Sequence, residues 1–283
     1  MKPFTVVKQN GEHQPFDARK LEASLKSVGT ADDVVREVVD EVVREAHDGM
    51  TTHEIYRLAY AILRKRHRPI AIRYSLKKAV AALGPTGFPF EKFVAEIFRA
   101  QDYETLVDQI VKGKCVEHET DVVAWKGGEL LMVEAKFHTD FELKSDLKVV
   151  LYVKARYDDI FGVAYGFGGK ARMLSQGWIV TNTKFSSTAI QYGACQPQLT
   201  LLGWNYPRDN NLHHIISRYE LMPLTALTTL TMAEKSLLLA KGIVLSKALL
   251  DRNVLDDLHF DDKKIRSIQA EVNDLHAHLE TVK

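Results

Sequence analysis

HETDVVAWKGGELLMVEAKF, residues 118–137, decides the fold of the central part of this chain. Two strand-like runs flank Gly127-Gly128, and a glycine pair between such runs suits a two-residue hairpin turn, which needs φ > 0. With those glycines as the loop, Lys126 pairs with Glu129, and counting outward sets Asp121 opposite Glu134. Lys136, two residues further on, shares that face. Cross-strand neighbours stand roughly 5 Å apart at Cβ. Two carboxylates at that separation, with an ammonium beside them, can hold one hard divalent cation and polarise a water. A cross-strand acid cluster neutralised by a lysine satisfies the same spacing.

The remaining hairpin positions place the strands in a core. Val122, Ala124, Leu131, Val133, Ala135 and Phe137 make the opposite face wholly apolar, while Val123, Trp125, Leu130 and Met132 line the acidic face toward the turn. Charges beside buried apolar surface are costly unless paired or metal-bound. Upstream, in GPTGFPFEKFVAEIFRAQDYE (84–104), Phe90, Phe93, Val94, Ile97 and Phe98 recur at helical spacing. Glu91 falls at the edge of that stripe and Glu96 well outside it. Glu91 is thereby placed to reach from the core rim into an adjoining site. A solvated first-turn glutamate favoured by the helix dipole occupies the same position.

Asp121 followed by Glu134-Ala135-Lys136 resembles the PD-(D/E)xK nuclease motif. Residues 84–104, and WIVTNTKFSSTAIQYGA at 178–194, resemble the helix before that hairpin and the later strand-turn-helix of Mrr-like restriction endonucleases. The resemblance covers roughly residues 84–220. It implies Mg²⁺ (or Mn²⁺) ligated by Asp121 and Glu134, Lys136 assisting the attacking water, and Glu91 completing the catalytic set. It also implies hydrolysis of DNA phosphodiesters in restriction or antiviral defence, and a dimer or larger homo-oligomer to cut both strands.

The amino-terminal part reads separately. VVKQNGEHQPFDARKLEASLKSVG (6–29) reads as a strand, an Asn-Gly turn, a short second segment and a helix from about Asp17. Next, Val34, Val38, Val42 and Ala46, with Val35, Val39 and Val43, define one wide apolar helical face. Thr51-Thr52 opens a further helix, Arg68-Pro69 breaks it, and Gly84-Pro85-Thr86-Gly87 marks a boundary. Lys8, Asn10, Gly11, Phe16, Asp17, Lys20 and Leu21 fall in the order of the ATP-cone pattern. This segment therefore resembles the ATP-cone, a nucleotide-binding regulatory domain. The resemblance implies ATP or dATP as regulatory ligand, bound by Lys8, Gln9, Asn10, Lys20, Thr52 and Tyr56, with Lys77 and Lys78 in the last helix. Gln9 stands where arginine is usual, which removes a bidentate phosphate clamp.

The expected architecture is therefore α+β / α/β and multidomain. Residues 1–83 form a mostly helical ATP-cone with a small β-ribbon. Residues 84–220 form a restriction-endonuclease-like mixed sheet flanked by helices, and 221–283 a helical tail. The net charge of +1 says nothing about nucleic acid by itself, but Lys144, Lys148, Lys154, Arg156, Lys170, Arg172 and Lys184 follow the hairpin closely. From Ser145 to Ile160 a helix is expected, with Leu147, Val150, Leu151, Lys154 and Tyr157 repeating at 3 and 4. Lys144, Lys148, Lys154 and Lys184 are the expected DNA-phosphate contacts; a solvated mixed-charge face fits the same run, since Asp146, Asp158 and Asp159 are interleaved. Gly166-x-Gly168-Gly169 lacks the ending of a P-loop, and no histidine or cysteine spacing suggests zinc. Two cysteines, Cys115 and Cys195, imply a reducing compartment. With no signal-peptide pattern and no long apolar run, a cytoplasmic location is expected. A non-catalytic nucleotide-sensing regulator that binds nucleic acid, or a nuclease directed at RNA, are the competing expectations.

Overall fold

A computed structural model describes residues 4–8, 11–26, 28, 30–140, 143–256, 258 and 260–280. They divide into two compact units, residues 1–78 with 274–283, and residues 79–273.

In the first unit, β1 (Thr5–Val7) pairs antiparallel with β2 (His13–Pro15). Helices α1 (Ala18–Lys26) and α2 (Asp32–Glu45) follow, and β3 (Met50–Thr51) then pairs parallel with β1. Helix α3 (Thr52–Arg66) starts on a capping box. The Thr51 hydroxyl accepts from the Glu54 N–H at 3.1 Å, and the Glu54 carboxylate accepts from the Thr51 N–H at 2.7 Å. Such a cap contributes about 1 kcal/mol. Helix α4 (Arg68–Ala81) completes the bundle. The valine face of α2 turns inward: Val35, Val38, Val39 and Val42 are buried in a core with Leu25, Ile55 and Leu63. That face packs into the domain's own core, with Val34, Val43 and Ala46 partly buried at its edges.

The second unit is built on a five-stranded sheet of order β12-β10-β6-β5-β4. Helix α5 (Phe88–Arg99) precedes β4 (Glu104–Lys112), β5 (Glu117–Lys126) and β6 (Glu129–Lys136), which run antiparallel in succession. Strand β7 (Lys144–Ser145) leads into α6 (Leu147–Ile160), capped by the Asp146 side chain. The small β8 (Ala164–Tyr165) and β9 (Arg172–Met173) pair antiparallel. Strand β10 (Gln176–Thr181) lies parallel to β6, and β11 (Lys184–Phe185) parallel to β7. Helix α7 (Ser187–Ala194) crosses to β12 (Leu199–Leu202), parallel to β10.

The central strands β6 and β10 are covered on both faces and are apolar on both sides, whereas the edge strand β4 leaves one face exposed. On one face α5 packs through Phe90 against Phe137 (ring centroids 5.5 Å apart) and through Phe98 edge-on to Trp178 at 5.4 Å. On the other, Val150, Val153, Tyr157 and Ile160 of α6 meet Val123, Trp125, Leu130, Met132 and Ile179. The buried stripe of α6 thus differs from the expected one: Leu151 is 43 % exposed and Val153 takes its place inside. Tyr157 fixes the helix to the sheet. Its hydroxyl donates to the Trp178 carbonyl at 2.9 Å, and its ring lies so close over Gly177 that an added methyl would overlap it.

The tail is helical but interrupted. After α8 (Leu212–Arg218), α9 (Met232–Ala240) stops before Gly242, whose φ of +82° is the left-handed conformation that ends helices. A 3₁₀ turn (Ser246–Leu250), α10 (Arg252–Asp256) and α11 (Asp262–Glu280) follow. Glu271 ties α11 to the loop before α9, accepting from the N–H and hydroxyl of both Thr228 and Thr229 at 2.6 to 2.9 Å.

Candidate active site

The hairpin has the expected register, from Lys126 opposite Glu129 to Val122 opposite Val133, and then the ladder ends. Asp121 sits one step beyond. Instead of continuing the backbone pairing, its carboxylate accepts the Ala135 N–H at 2.6 Å. On the other side, β5 pairs with β4 through Val122 and Thr120 but skips Asp121. The residue facing that gap is Asp108, held at a φ of +54°. A non-glycine residue with positive φ is uncommon, and strain of this kind costs about 1–3 kcal/mol. The break also reverses the alternation. Val123 packs under α6, yet beyond the kink Thr120 also faces Met132 on that side, and His118 meets Asp159 at the end of α6. Strict period-two counting would send Thr120 and His118 to the α5 face. The kink frees the Asp121 side chain from either layer and aims it along the sheet at β6.

Around it the charges converge. Glu134 is buried, with its side chain 7 % exposed, and both its oxygens are engaged. Lys136 donates to Oε1 at 2.5 Å, and Arg156 of α6 donates to Oε2 at 2.7 Å. Burial first, and the Glu134 charge second, push the Asp121 carboxyl up to about 7. Glu91 is half-buried on α5; burial raises its carboxyl too, with Asp108, Glu119 and Glu134 adding to the effect and Lys136 opposing it. Glu91 therefore shares the electrostatic field of the cluster. Among the described residues, no group of three His, Cys, Asp or Glu side chains converges as a metal cage. The site offers two hard carboxylates instead. Mg²⁺ typically takes one or two carboxylates and completes its shell with water and phosphate oxygens. A pair crowded enough to raise one member's pKa suits such a cation.

Polar residues absent from the sequence-based set support this arrangement. Asn182, fully buried after β10, accepts the His138 N–H at 2.8 Å and donates to the His138 carbonyl at 2.7 Å, extending the β6 line by side chain. Thr181 and Thr183, also buried, bond each other at 3.2 Å. Their signal in the sequence was the polar Thr-Asn-Thr closing an otherwise apolar strand. From sequence, Arg156 is one of several basic residues after the hairpin; its contact with Glu134 comes from the helix packing.

The basic residues divide by partner. Lys144 and Lys148 are exposed, and Lys144 stands in register with Lys184 across β7 and β11. Lys154 pairs with Asp158 one turn away and keeps only 14 % of its side chain exposed. Arg172 is buried and donates to the carbonyls of Gly127, Phe167 and Lys170, bracing the glycine loop over the hairpin turn.

In the first unit, a cavity of about 170 Å³ is lined by Phe16, Lys20, Ser24, Thr52, Tyr56 and Tyr74, among others. Tyr56 stacks on Tyr74 at 5.0 Å, and the Lys78 ammonium lies 3.5 Å from the Tyr56 ring centroid. Burial pushes the Tyr74 phenol up to about 12. Lys20, Thr52 and Tyr56 thus come together. Lys8 instead pairs with Glu12 at 3.0 Å and does not line the cavity. Gln9 and Asn10 lie outside the described residues.

The class this fold and hairpin define is the restriction-endonuclease domain: a family model described as restriction endonuclease (Mrr_cat) matches residues 84–204. An ATP-cone domain model matches residues 4–82, and an AF1548-like C-terminal model residues 222–276. An uncharacterized protein of Archaeoglobus fulgidus is 37% identical over 134 residues, which cover 47% of this chain and 71% of that protein. The crystal structure of AF1548, a protein of unknown function, aligns with a TM-score of 0.55 at 30% identity, covering 68% of this chain and 99% of that one. The MspJI restriction endonuclease, solved in complex with a 27-mer oligonucleotide, aligns at 15% identity with a TM-score of 0.33, over 67% of this chain and 35% of that one. The chain belongs to the AF1548-like family, with an ATP-cone domain joined to an Mrr-like restriction-endonuclease domain. Among the described residues, no helix is long and apolar enough to cross a membrane.

Proposed function

We propose that this protein is a nucleotide-regulated, metal-dependent endonuclease that hydrolyses DNA phosphodiester bonds, in restriction or defence against foreign DNA. The observation that carries this reading is the kink at Asp121. It turns one carboxylate toward β6 beside Glu134 and Lys136, inside a domain matched by a restriction-endonuclease model. Asp121 and Glu134 would hold Mg²⁺ or Mn²⁺, which when bound stabilises charge on the phosphate and acidifies a water. Lys136, anchored on Glu134, is placed to orient that water and to take or share its proton. Glu91 approaches from α5 and positions a further water. Lys144, Lys148 and Lys184 border the start of α6 and α7 and serve phosphate contacts, which give salt-dependent, sequence-independent affinity. ATP or dATP in the cavity at Lys20, Thr52 and Tyr56 acts as a ligand rather than a fuel, working through a homo-oligomer.

The test is cleavage of supercoiled plasmid with Mg²⁺, with EDTA, and with RNA as an alternative substrate. Mg²⁺-dependent nicking or linearisation is expected, and none with EDTA. A second reading, a non-catalytic nucleic-acid-binding regulator, draws on the engagement of both Glu134 oxygens by cationic side chains. Plasmid left intact in Mg²⁺ and Mn²⁺ despite measurable DNA binding would favour it.

A further inference from the structure

Helix α6 carries Lys148, Tyr152 and Arg156 at intervals of four, so they form one stripe along the helix. Lys148 is exposed and Tyr152 is 63 % exposed. Arg156 is the inner end, with 14 % of its side chain exposed and Nη1 on the buried Glu134. Its guanidinium also lies 5.6 Å from the centroid of the Tyr152 ring. The stripe thus runs from solvent to the carboxylate. Its backbone is fixed, because Tyr157 locks α6 to Gly177 and the Trp178 carbonyl. Only side chains on this stripe are free to rearrange.

We propose that Arg156 couples DNA to the cation site: it holds Glu134 when no cation is bound and grips a DNA phosphate when one is. This rests on the nuclease reading above. A guanidinium matches a carboxylate and a phosphate with the same planar donor fork. Lys136 already occupies Glu134 Oε1, so Arg156 covers the other oxygen, which a divalent cation would use. Once a cation neutralises Glu134, the attraction holding Arg156 there weakens. The nearest competing anion is then a phosphate drawn along Lys148 and Tyr152. The Tyr152 face supplies a resting place for the displaced guanidinium, since cation–π attraction acts within about 6 Å. Arg156 accordingly opposes premature loading of the metal and rewards loading in the presence of DNA.

The experiment uses the full chain and two readouts. Mn²⁺ affinity is measured calorimetrically without DNA, and cleavage of plasmid is measured at saturating Mn²⁺. Arg156→Ala should bind Mn²⁺ about fivefold or more tightly than wild type, because a competing charge is gone, yet cleave about tenfold or more slowly, the scale of a lost charged contact. Arg156→Lys should fall between the two in both readouts and reports if Arg156→Ala does not fold. Tyr152→Ala should leave Mn²⁺ affinity within about twofold while weakening DNA binding, a loss on the scale of one aromatic contact. A folded Arg156→Ala whose Mn²⁺ affinity is unchanged or weaker overturns the proposal, as does wild-type cleavage by that variant. Wild-type protein that takes up Mn²⁺ but cuts nothing sinks the nuclease reading and the phosphate-gripping half with it. The Mn²⁺ shift then still decides whether Arg156 guards Glu134.

Discussion

The two candidate ligand sites are built in opposite ways. At the hairpin, carboxylates and cations are pressed together on rigid strands, covered by α5 on one face and α6 on the other. Asp121 is pushed up to about 7 by burial and by Glu134. In the amino-terminal cavity the floor is aromatic, Tyr56 stacked on Tyr74, and the polar groups stand around it. The first arrangement concentrates like charge where a small hard cation would relieve it. The second offers a planar surface with Lys20 and Thr52 beside it, suited to a flat ring with an anionic tail, and among the described lining residues Asp17 is the only carboxylate. On the proposed function, chemistry falls to the first site and recognition to the second.

That division breaks if catalysis survives loss of the crowded charges. Asp121→Ala, Glu134→Ala and Lys136→Ala should each lower plasmid cleavage by ~100-fold or more, the usual weight of a metal ligand or general base. Circular dichroism should show the fold retained. Wild-type cleavage by any of the three would remove that residue from the mechanism. Ca²⁺ in place of Mg²⁺ should support DNA binding without turnover.

The cavity is tested by the opposite pattern. Lys20→Ala combined with Thr52→Ala should weaken ATP or dATP binding by roughly 10-fold or more, the scale of losing a charged hydrogen bond, while cleavage without nucleotide stays at the wild-type level. In wild type, nucleotide should shift sedimentation and cleavage rate together, because a ligand moves an equilibrium only through differential affinity for its states. Lys8→Ala alone should do little, since that ammonium is paired with Glu12 and away from the cavity. If the double variant binds nucleotide as wild type does, the ligand sits elsewhere.

Much of the hairpin was legible because its determinants are local. The glycine pair sets the turn, the turn sets the register, and the register brings Asp121 level with Glu134. The expected fold class, with its mixed sheet between helices, followed from the resemblance to Mrr-like restriction endonucleases rather than from periodicity alone. What stayed hidden depends on distant contacts. Asp108 gives no sequence sign that it faces a break in pairing, since only the meeting of β4 and β5 reveals it. Arg156 reads as one more surface cation until Tyr157 seats α6 on Gly177. The valines of α2 read only as one wide apolar face, because a sequence does not say which helix covers which. Similarly, Lys154 reads as a phosphate contact and is held by Asp158.

DNA affinity sharpens the contrast from the substrate side. If phosphates meet the exposed lysines beside the hairpin, neutralising Lys144 and Lys148 together should flatten the plot of log affinity against log salt by up to about 2, close to one unit per phosphate contact. Lys154→Ala should change that slope far less, its charge being spent on Asp158. An unaltered slope in the double variant would put the DNA on another surface.

The smallest effect comes from the strain of the charge pair itself. A carboxyl whose folded pKa is raised from 3.8 to about 7 binds its proton more tightly in the folded than in the unfolded chain. Between those values the folded state carries more protons, so this group's contribution to stability falls as pH rises through the window. At pH 8 the full penalty is present, and below about pH 4 it is absent. Asp121→Asn removes the titration but keeps an oxygen for the Ala135 N–H. Without added metal, the variant should therefore melt a few degrees above wild type at pH 8, since 1 kcal/mol shifts Tm by roughly 2–4 °C in chains of this size. The two should converge near pH 4. A divalent cation should narrow the gap at pH 8 by stabilising only the wild type, and its binding below pH 7 should release protons. Melting curves across pH 4 to 8, with and without Mg²⁺, measure all of this. A variant no more stable than wild type at pH 8 would mean that Asp121 is not held against its charge, and that the hairpin site resembles an ordinary solvated acid pair.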